Sequence, residues 1–305
     1  MSSTVESDSE QRRPKVGVVV GSGGIKAMSS IPLFEFLEQE KIAVDLLIGC
    51  SGGSITSALW ALEGNAAHMR TRACEMWKKE IFRKIDYNTL LSIAGFPLNG
   101  YDKSHGLIEP DGVKSTYKAI FGDHCFHDLP IRVLMQSTDL LTGEPVILDS
   151  GTLWDAVYAS SALFPILPPI NRGGRWLIDG ANSSPVPILE AVKNGMDVII
   201  ALSNEERSID ESDNFFSWFM RCMAYQSTWL TRNQLALSVN LHHHEIIVIN
   251  TVFDKHFGLK DVSSIPAIVQ AGQDSLDRKK EDILEAISAF ARRSQYPEES
   301  EDRVY

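Results

Sequence analysis

Cysteine is scarce in this chain: Cys50, Cys74, Cys125 and Cys222 are the four in 305 residues, with no CxxC pair and no dense spacing. That excludes a small disulfide-stapled scaffold and a cysteine-built zinc module, and it fits free thiols in a reducing compartment. Long apolar runs are missing as well, since nothing approaches the roughly 18 uninterrupted apolar residues of a membrane-spanning helix. The opening stretch, MSSTVESDSEQRRPK, has none of the apolar core of a secretory signal. Positive charge is outnumbered, with 29 Lys and Arg against 40 Asp and Glu and a net charge of −11. A nucleic-acid partner is therefore not expected, because neutralising phosphates takes clustered basic residues. Docking on anionic lipid by overall charge is disfavoured for the same reason. These absences lead us to expect a cytoplasmic protein whose contact with any membrane is peripheral, transient, local and hydrophobic.

What is present is the ordinary balance of a globular domain, 44% hydrophobic and 23% charged. Residues 1–14 and the acidic stretch 295–305 read as disordered tails, leaving 15–294 as one folded domain. Val16–Val20 is a short β-branched run that suits a buried parallel strand. It enters Gly21-Ser22-Gly23-Gly24, and a helix to about Glu40 follows, with Met28, Ile31, Phe34 and Leu37 facing inward. Pro32 is tolerable there only near the helix start. A second strand at 44–48 leads through Gly49-Cys50-Ser51-Gly52-Gly53 into a helix carrying Ile55, Ala58, Leu59 and Leu62, with Gly64 as its stop. Further strands are expected at 131–137, 145–148, 175–178, 197–202 and 245–250, and helices at 152–160, 188–194, 214–237 and 276–292. Such alternation predicts an α/β fold, a mostly parallel central sheet covered on both faces in three α/β/α layers. Ligands in such sheets bind beyond the carboxyl ends of the strands, where both glycine-rich turns fall.

Gly49-Cys50-Ser51-Gly52-Gly53 matches G-x-S-x-G, with Gly49 and Gly53 flanking a serine on a tight strand-to-helix turn. The following helix points its positive end at the place where an oxyanion would develop. The same pattern also describes a plain βα turn with a capping serine. Gly21-Ser22-Gly23-Gly24-Ile25-Lys26 fails both nucleotide fingerprints. It suits an oxyanion hole, with amides at Gly21, Gly23 and Gly24 and a nearby charge on Lys26, or simply a tight turn. Asp179, closing an apolar strand before Gly180, is the candidate base for Ser51, although Asp-Gly is also a common turn pair. His256 stands where a Ser–His–Asp triad would place its histidine. His105, His124 and His127 have no motif around them, and His242-His243-His244 have poor metal spacing, so no metal ligand set is expected. Cys50, the residue before Ser51, should point the other way and pack. Apolar groove candidates are Leu90, Leu91, Ile93, Phe96, Leu98 and Tyr101. The stretch from Phe215 to Trp229 is rich in aromatics and suits core packing, a lid, a membrane contact or a dimer face.

Taken in order, these residues resemble the patatin-like phospholipase family from about Val16 to Asn250. Gly21–Lys26 resembles its glycine-rich oxyanion loop, Gly49–Gly53 its nucleophile elbow, and Asp179-Gly180-Ala181 its catalytic aspartate motif. Thr138-Asp139-Leu140, Thr142-Gly143-Glu144, Ala159-Ser160-Ser161-Ala162 and Phe164-Pro165 fit as well. Ala27 departs from a glycine often found after the basic residue, which touches backbone freedom and no catalytic group. The resemblance implies a lipid acyl hydrolase with a Ser51–Asp179 dyad, an acyl-enzyme, no catalytic histidine and no cofactor. Its partner would be a lipid acyl ester, a phospholipid or lysophospholipid. Acyl transfer or thioester hydrolysis on the same site, and a non-catalytic lipid-binding scaffold, are the alternatives.

Overall fold

The computed structural model describes residues 12–76, 84–93, 102–207, 215–241, 245–255, 257 and 261–295. The expected tails lie largely outside this range. Arg12 and Arg13 are tied to Asp197 and Asp45 at 2.8 and 2.7 Å, and the last helix runs to Gln295.

Eight strands form one sheet: β1 Val16–Val20, β2 Leu46–Cys50, β3 Arg132–Asp139, β4 Pro145–Leu148, β5 Ile170–Arg172, β6 Arg175–Asp179, β7 Val198–Glu206 and β8 Glu245–Phe253. Ladders β3–β2, β2–β1, β1–β7 and β7–β8 are parallel. Among the described residues ten α-helices accompany them: α1 Ile31–Gln39, α2 Gly52–Glu63, α3 Ala66–Met76, α4 Tyr87–Ile93, α5 Asp111–Phe121, α6 Leu153–Ser161, α7 Ile188–Lys193, α8 Phe215–Leu241, α9 Ile265–Asp277 and α10 Lys280–Gln295. The strands are apolar on both faces because both are covered. Val18, Val20, Leu47, Ile200 and Leu202 join one core with Phe34, Leu59, Val157 and Ile268. Val19, Ile48, Ile199 and Ala201 join the other with Ile188, Ala191 and the edge of Leu235. This is the three-layer α/β/α arrangement.

Two expectations are corrected. The helix after the first glycine turn is a 3₁₀ segment, Gly24–Ser30, before α1 begins at Ile31 and places Pro32 in its first turn, where no intrahelical donor is lost. The helix expected at 276–292 is α10, Lys280–Gln295, and its first two expected residues close a separate helix, α9 at Ile265–Asp277, that the sequence did not reveal. The strand expected at 175–178 is present as β6, which runs antiparallel to β3 and pairs with the short β5.

That antiparallel strand positions the site. Gln136 of β3 pairs with both Cys50 of β2 and Ile147 of β4, and Thr138 pairs with both Ile178 of β6 and Pro145 of β4. A strand has two edges, so β2 and β6 share the edge opposite β4. They run toward each other along it, and β6 ends where β2 ends.

Candidate active site

Ser51 follows β2 and precedes α2, with φ 53° and ψ −122°, a conformation an L-residue adopts only under constraint. The constraint is visible. The Ser51 N–H donates to Ser160 Oγ at 3.0 Å, and Ser160 Oγ donates to the Gln136 carbonyl at 2.6 Å. Ser54 Oγ donates to the Ser51 carbonyl at 2.6 Å. On the other side, α2 begins in direct backbone contact with the loop after β1. A Cβ on Gly52 would strike the Gly24 carbonyl, and one on Gly53 the carbonyls of Val20 and Gly21.

Asp179 is the last residue of β6 and Ser51 the first after β2, so the head-on strands bring them together. Ser51 Oγ donates to Asp179 Oδ2 at 2.6 Å, and the Ala181 N–H donates to Asp179 Oδ1 at 2.8 Å. The Asp179 backbone is pinned too: its N–H donates to the Ala162 carbonyl, and its carbonyl accepts from Thr138 Oγ1 and Asn182 Nδ2. Asp179 is 2% exposed and Ser51 8%. Burial raises the Asp179 carboxyl to about 6, against the hydrogen bonds from Ser51 and Ala181, which work to lower it. A carboxylate of that strength is a competent proton acceptor near neutral pH. Among the described residues no histidine is bonded to Ser51 or Asp179, and His256 and His242–His244 lie outside the described residues.

The glycine loop divides in two. The Gly21 N–H donates to the Leu202 carbonyl and the Ser22 N–H to that of Pro185, so Gly21 holds the turn and has no amide for an oxyanion. Gly23 (φ 156°) and Gly24 (φ 55°) open the 3₁₀ segment, whose first amides have no intrahelical acceptor. Lys26 points away from the expected role: its Nζ is 2.7 Å from Glu206 Oε2, both side chains mostly buried, tethering the loop to the end of β7.

Cys50 is fully buried, and burial followed by the Asp179 charge pushes its thiol well up, in keeping with packing. His105, His124 and His127 sit elsewhere on the surface. Among the described residues the one grouping of metal-type donors, Cys125, His127 and Asp128, belongs to a 3₁₀ turn before β3 in which Asp128 already accepts the Cys125 N–H. Leu90 and Leu91 are exposed on α4, and Ile93 closes that helix; Phe96, Leu98 and Tyr101 lie outside the described residues. Ser160, Thr138 and Glu206 had no signal of their own in the sequence, although Ser160 and Thr138 fell within stretches quoted for the resemblance.

Residues 18–192 match a family model described as patatin-like phospholipase. A lysophospholipase NTE1 of Debaryomyces hansenii is 30% identical over 188 residues, covering 61% of this chain and 12% of the fungal protein. A lysophospholipase NTE1 of Cryptococcus neoformans var. neoformans serotype D is 27% identical over 217 residues, covering 68% of this chain and 12% of its own length. The chain therefore spans about an eighth of the length of these curated relatives. The crystal structure of VipD from Legionella pneumophila is similar at a TM-score of 0.48 and 13% identity, over 91% of this chain and 67% of that one.

Proposed function

The chain belongs to the patatin-like phospholipase family, a family of lipid acyl hydrolases, and from that premise we propose that it cleaves fatty-acyl esters of lysophospholipids or phospholipids with Ser51 as nucleophile and Asp179 as its base. The observation that carries this reading is the 2.6 Å hydrogen bond from Ser51 Oγ to a buried carboxylate raised to about 6. As Ser51 Oγ attacks the ester carbonyl, its proton passes to Asp179 Oδ2. The tetrahedral oxyanion faces the amides of Gly23 and Gly24 at the start of the 3₁₀ segment. Collapse breaks the ester bond, and the departing alcohol takes the proton from Asp179, leaving an acyl group on Ser51. Water then attacks that acyl-enzyme, gives its proton to Asp179, and the second collapse returns it to Ser51 as the fatty acid leaves.

Lysophospholipid comes first among the substrates because the fungal relatives carry the name lysophospholipase. Residues 15–294 act as one hydrolase domain in this reading, working transiently at a membrane face from the cytoplasm. The test is fatty-acid release from lysophosphatidylcholine and from p-nitrophenyl esters, with a fluorophosphonate label to report Ser51. The expected result is turnover and labelling in the wild type, loss of labelling in Ser51→Ala, loss of turnover in Ser51→Ala and Asp179→Asn, and full turnover in His256→Ala. An unlabelled, inactive wild type that binds lipid would transfer the chain to the scaffold reading.

A further inference from the structure

Helix α8 is unlike the rest of the chain. Its 27 residues, Phe215–Leu241, contain two arginines and no aspartate or glutamate, in a protein whose net charge is −11. At about 100° per residue, Trp218, Cys222, Tyr225, Trp229, Arg232 and Ala236 fall on one stripe. That stripe faces solvent: Trp229 is 61% exposed and Tyr225 49%. Arg221 lies 5.1 Å from the Trp218 ring and Arg232 5.2 Å from that of Trp229, so cations sit among the aromatics. The opposite side of the helix is tied to the site. Gln234 donates to the Ser183 carbonyl at 3.0 Å, and Ser183 Oγ is 2.7 Å from Thr138 Oγ1, which holds the Asp179 carbonyl.

We propose that this outward stripe of α8 docks the protein on an anionic lipid surface and so brings Ser51 to its substrate; the proposal rests on the reading that the substrate is a lipid ester. Tyrosine and tryptophan, with an apolar ring and a polar edge, are the side chains that settle at a membrane–water boundary. Arginine beside them adds positive charge toward lipid phosphate, Arg232 sharing its charge with Glu205, whose Oε1 lies 2.6 Å away. A helix without carboxylates is a face that an acidic protein can turn toward an acidic surface without repulsion, and charge complementarity selects the lipid. A second copy of the chain is a poorer occupant. Two such faces would oppose arginine to arginine, whereas a lipid surface meets them with phosphate. No helix among the described residues is long and apolar enough to cross a membrane, so α8 would lie along the surface.

The experiment uses the full chain, vesicles of phosphatidylcholine and phosphatidylglycerol mixed three to one, and p-nitrophenyl butyrate as a soluble substrate. The variants are Tyr225→Ser with Trp229→Ser, and separately Asn233→Glu, which places a carboxylate beside the stripe. Both are expected to bind vesicles at least tenfold more weakly, with hydrolysis of vesicle lipid falling in step and butyrate turnover within twofold of wild type. Ser51→Ala should bind vesicles as the wild type does. Vesicle binding unchanged in both variants overturns the proposal. So does a wild-type dimer that the variants split with vesicle binding intact, which would make the stripe a self-association face. A wild type that binds vesicles through α8 but hydrolyses neither substrate sinks the hydrolase reading and leaves the docking face standing. A wild type that hydrolyses both, with the variants indistinguishable from it, does the reverse.

Discussion

In the proposed mechanism the chemistry turns on one carboxyl group. With Asp179 buried and raised to about 6, kcat/KM should rise with pH through an apparent pKa near 6 and level off above it, because only the ionised form accepts the Ser51 proton. A profile flat from about pH 5 to 8 would remove Asp179 as the base. Ser51 and Asp179 were legible because each closes an apolar run before glycine, a pattern that survives in one dimension. Ser160 was not, since its partners Ser51 and Gln136 come from distant parts of the chain and meet only in the fold. Its role is positioning: the Ser160 hydroxyl bridges the strained Ser51 amide and the end of β3. Ser160→Ala leaves a buried N–H without an acceptor, a loss of roughly 1–3 kcal/mol in stability. Turnover should fall by roughly tenfold or more through kcat with KM little changed, because the reacting oxygen loses its fixed geometry. If stability falls while kcat holds, the bridge is structural only.

At the level of elements, the strand–turn–helix units at β1 and β2 were readable from periodicity and glycine, although the first opens on a 3₁₀ segment and β2 lies at Leu46–Cys50, two residues later than expected. The direction of β6 was not readable, because a five-residue strand carries no mark of whether it runs parallel or antiparallel. Yet that direction is what aims Asp179 at Ser51, by running β6 into β2 along one edge of β3. The glycines between these units have two different reasons. Gly64 caps α2 at φ 62° with open space around it, so Gly64→Ala carries only the left-handed backbone penalty, about 1 kcal/mol. Gly53 is held by sterics: its Cβ would collide with the carbonyls of Val20 and Gly21, both backbone and unable to swing aside. Gly53→Ala should therefore lower stability by at least about 2 kcal/mol and separate the elbow from the glycine loop, abolishing turnover. Urea melts of the two variants, with ester hydrolysis alongside, measure the contrast; equal effects would mean that the contact between α2 and the loop is slack.

For the whole molecule, the groups that shape pH stability pull in opposite directions. Asp179 is raised, so its folded form holds a proton that the unfolded chain releases. Its contribution is complete below about 4 and is lost as pH rises through about 6, a difference of roughly 3 kcal/mol. Self-repulsion of an acidic chain adds to the loss on that side. Glu205 and Asp45 work the other way. Burial tends to raise both, but Arg207, Asn250 and Arg232 outweigh it at Glu205, and Arg13 with the Val16 N–H at Asp45, so each ends below the usual carboxylate range. Their contribution is present above the ordinary carboxylate pKa and lost as pH falls through the lowered one. Glu205 matters most for architecture, because it links β7 to Asn250 of β8 and to Arg232 of α8. The expected melting curve against pH is a dome with its top near about pH 5, on the acid side of the rise in activity. Asp179→Asn should flatten the descent between about pH 4 and 6 and melt higher than wild type at pH 8 while being inactive, and Glu205→Gln should melt lower than wild type at neutral pH. Calorimetry of the three proteins from pH 4 to 8 decides it. A wild type whose stability climbs steadily to pH 8, with Asp179→Asn no more stable there, would mean that the site carries its negative charge without strain and that another group must supply the base.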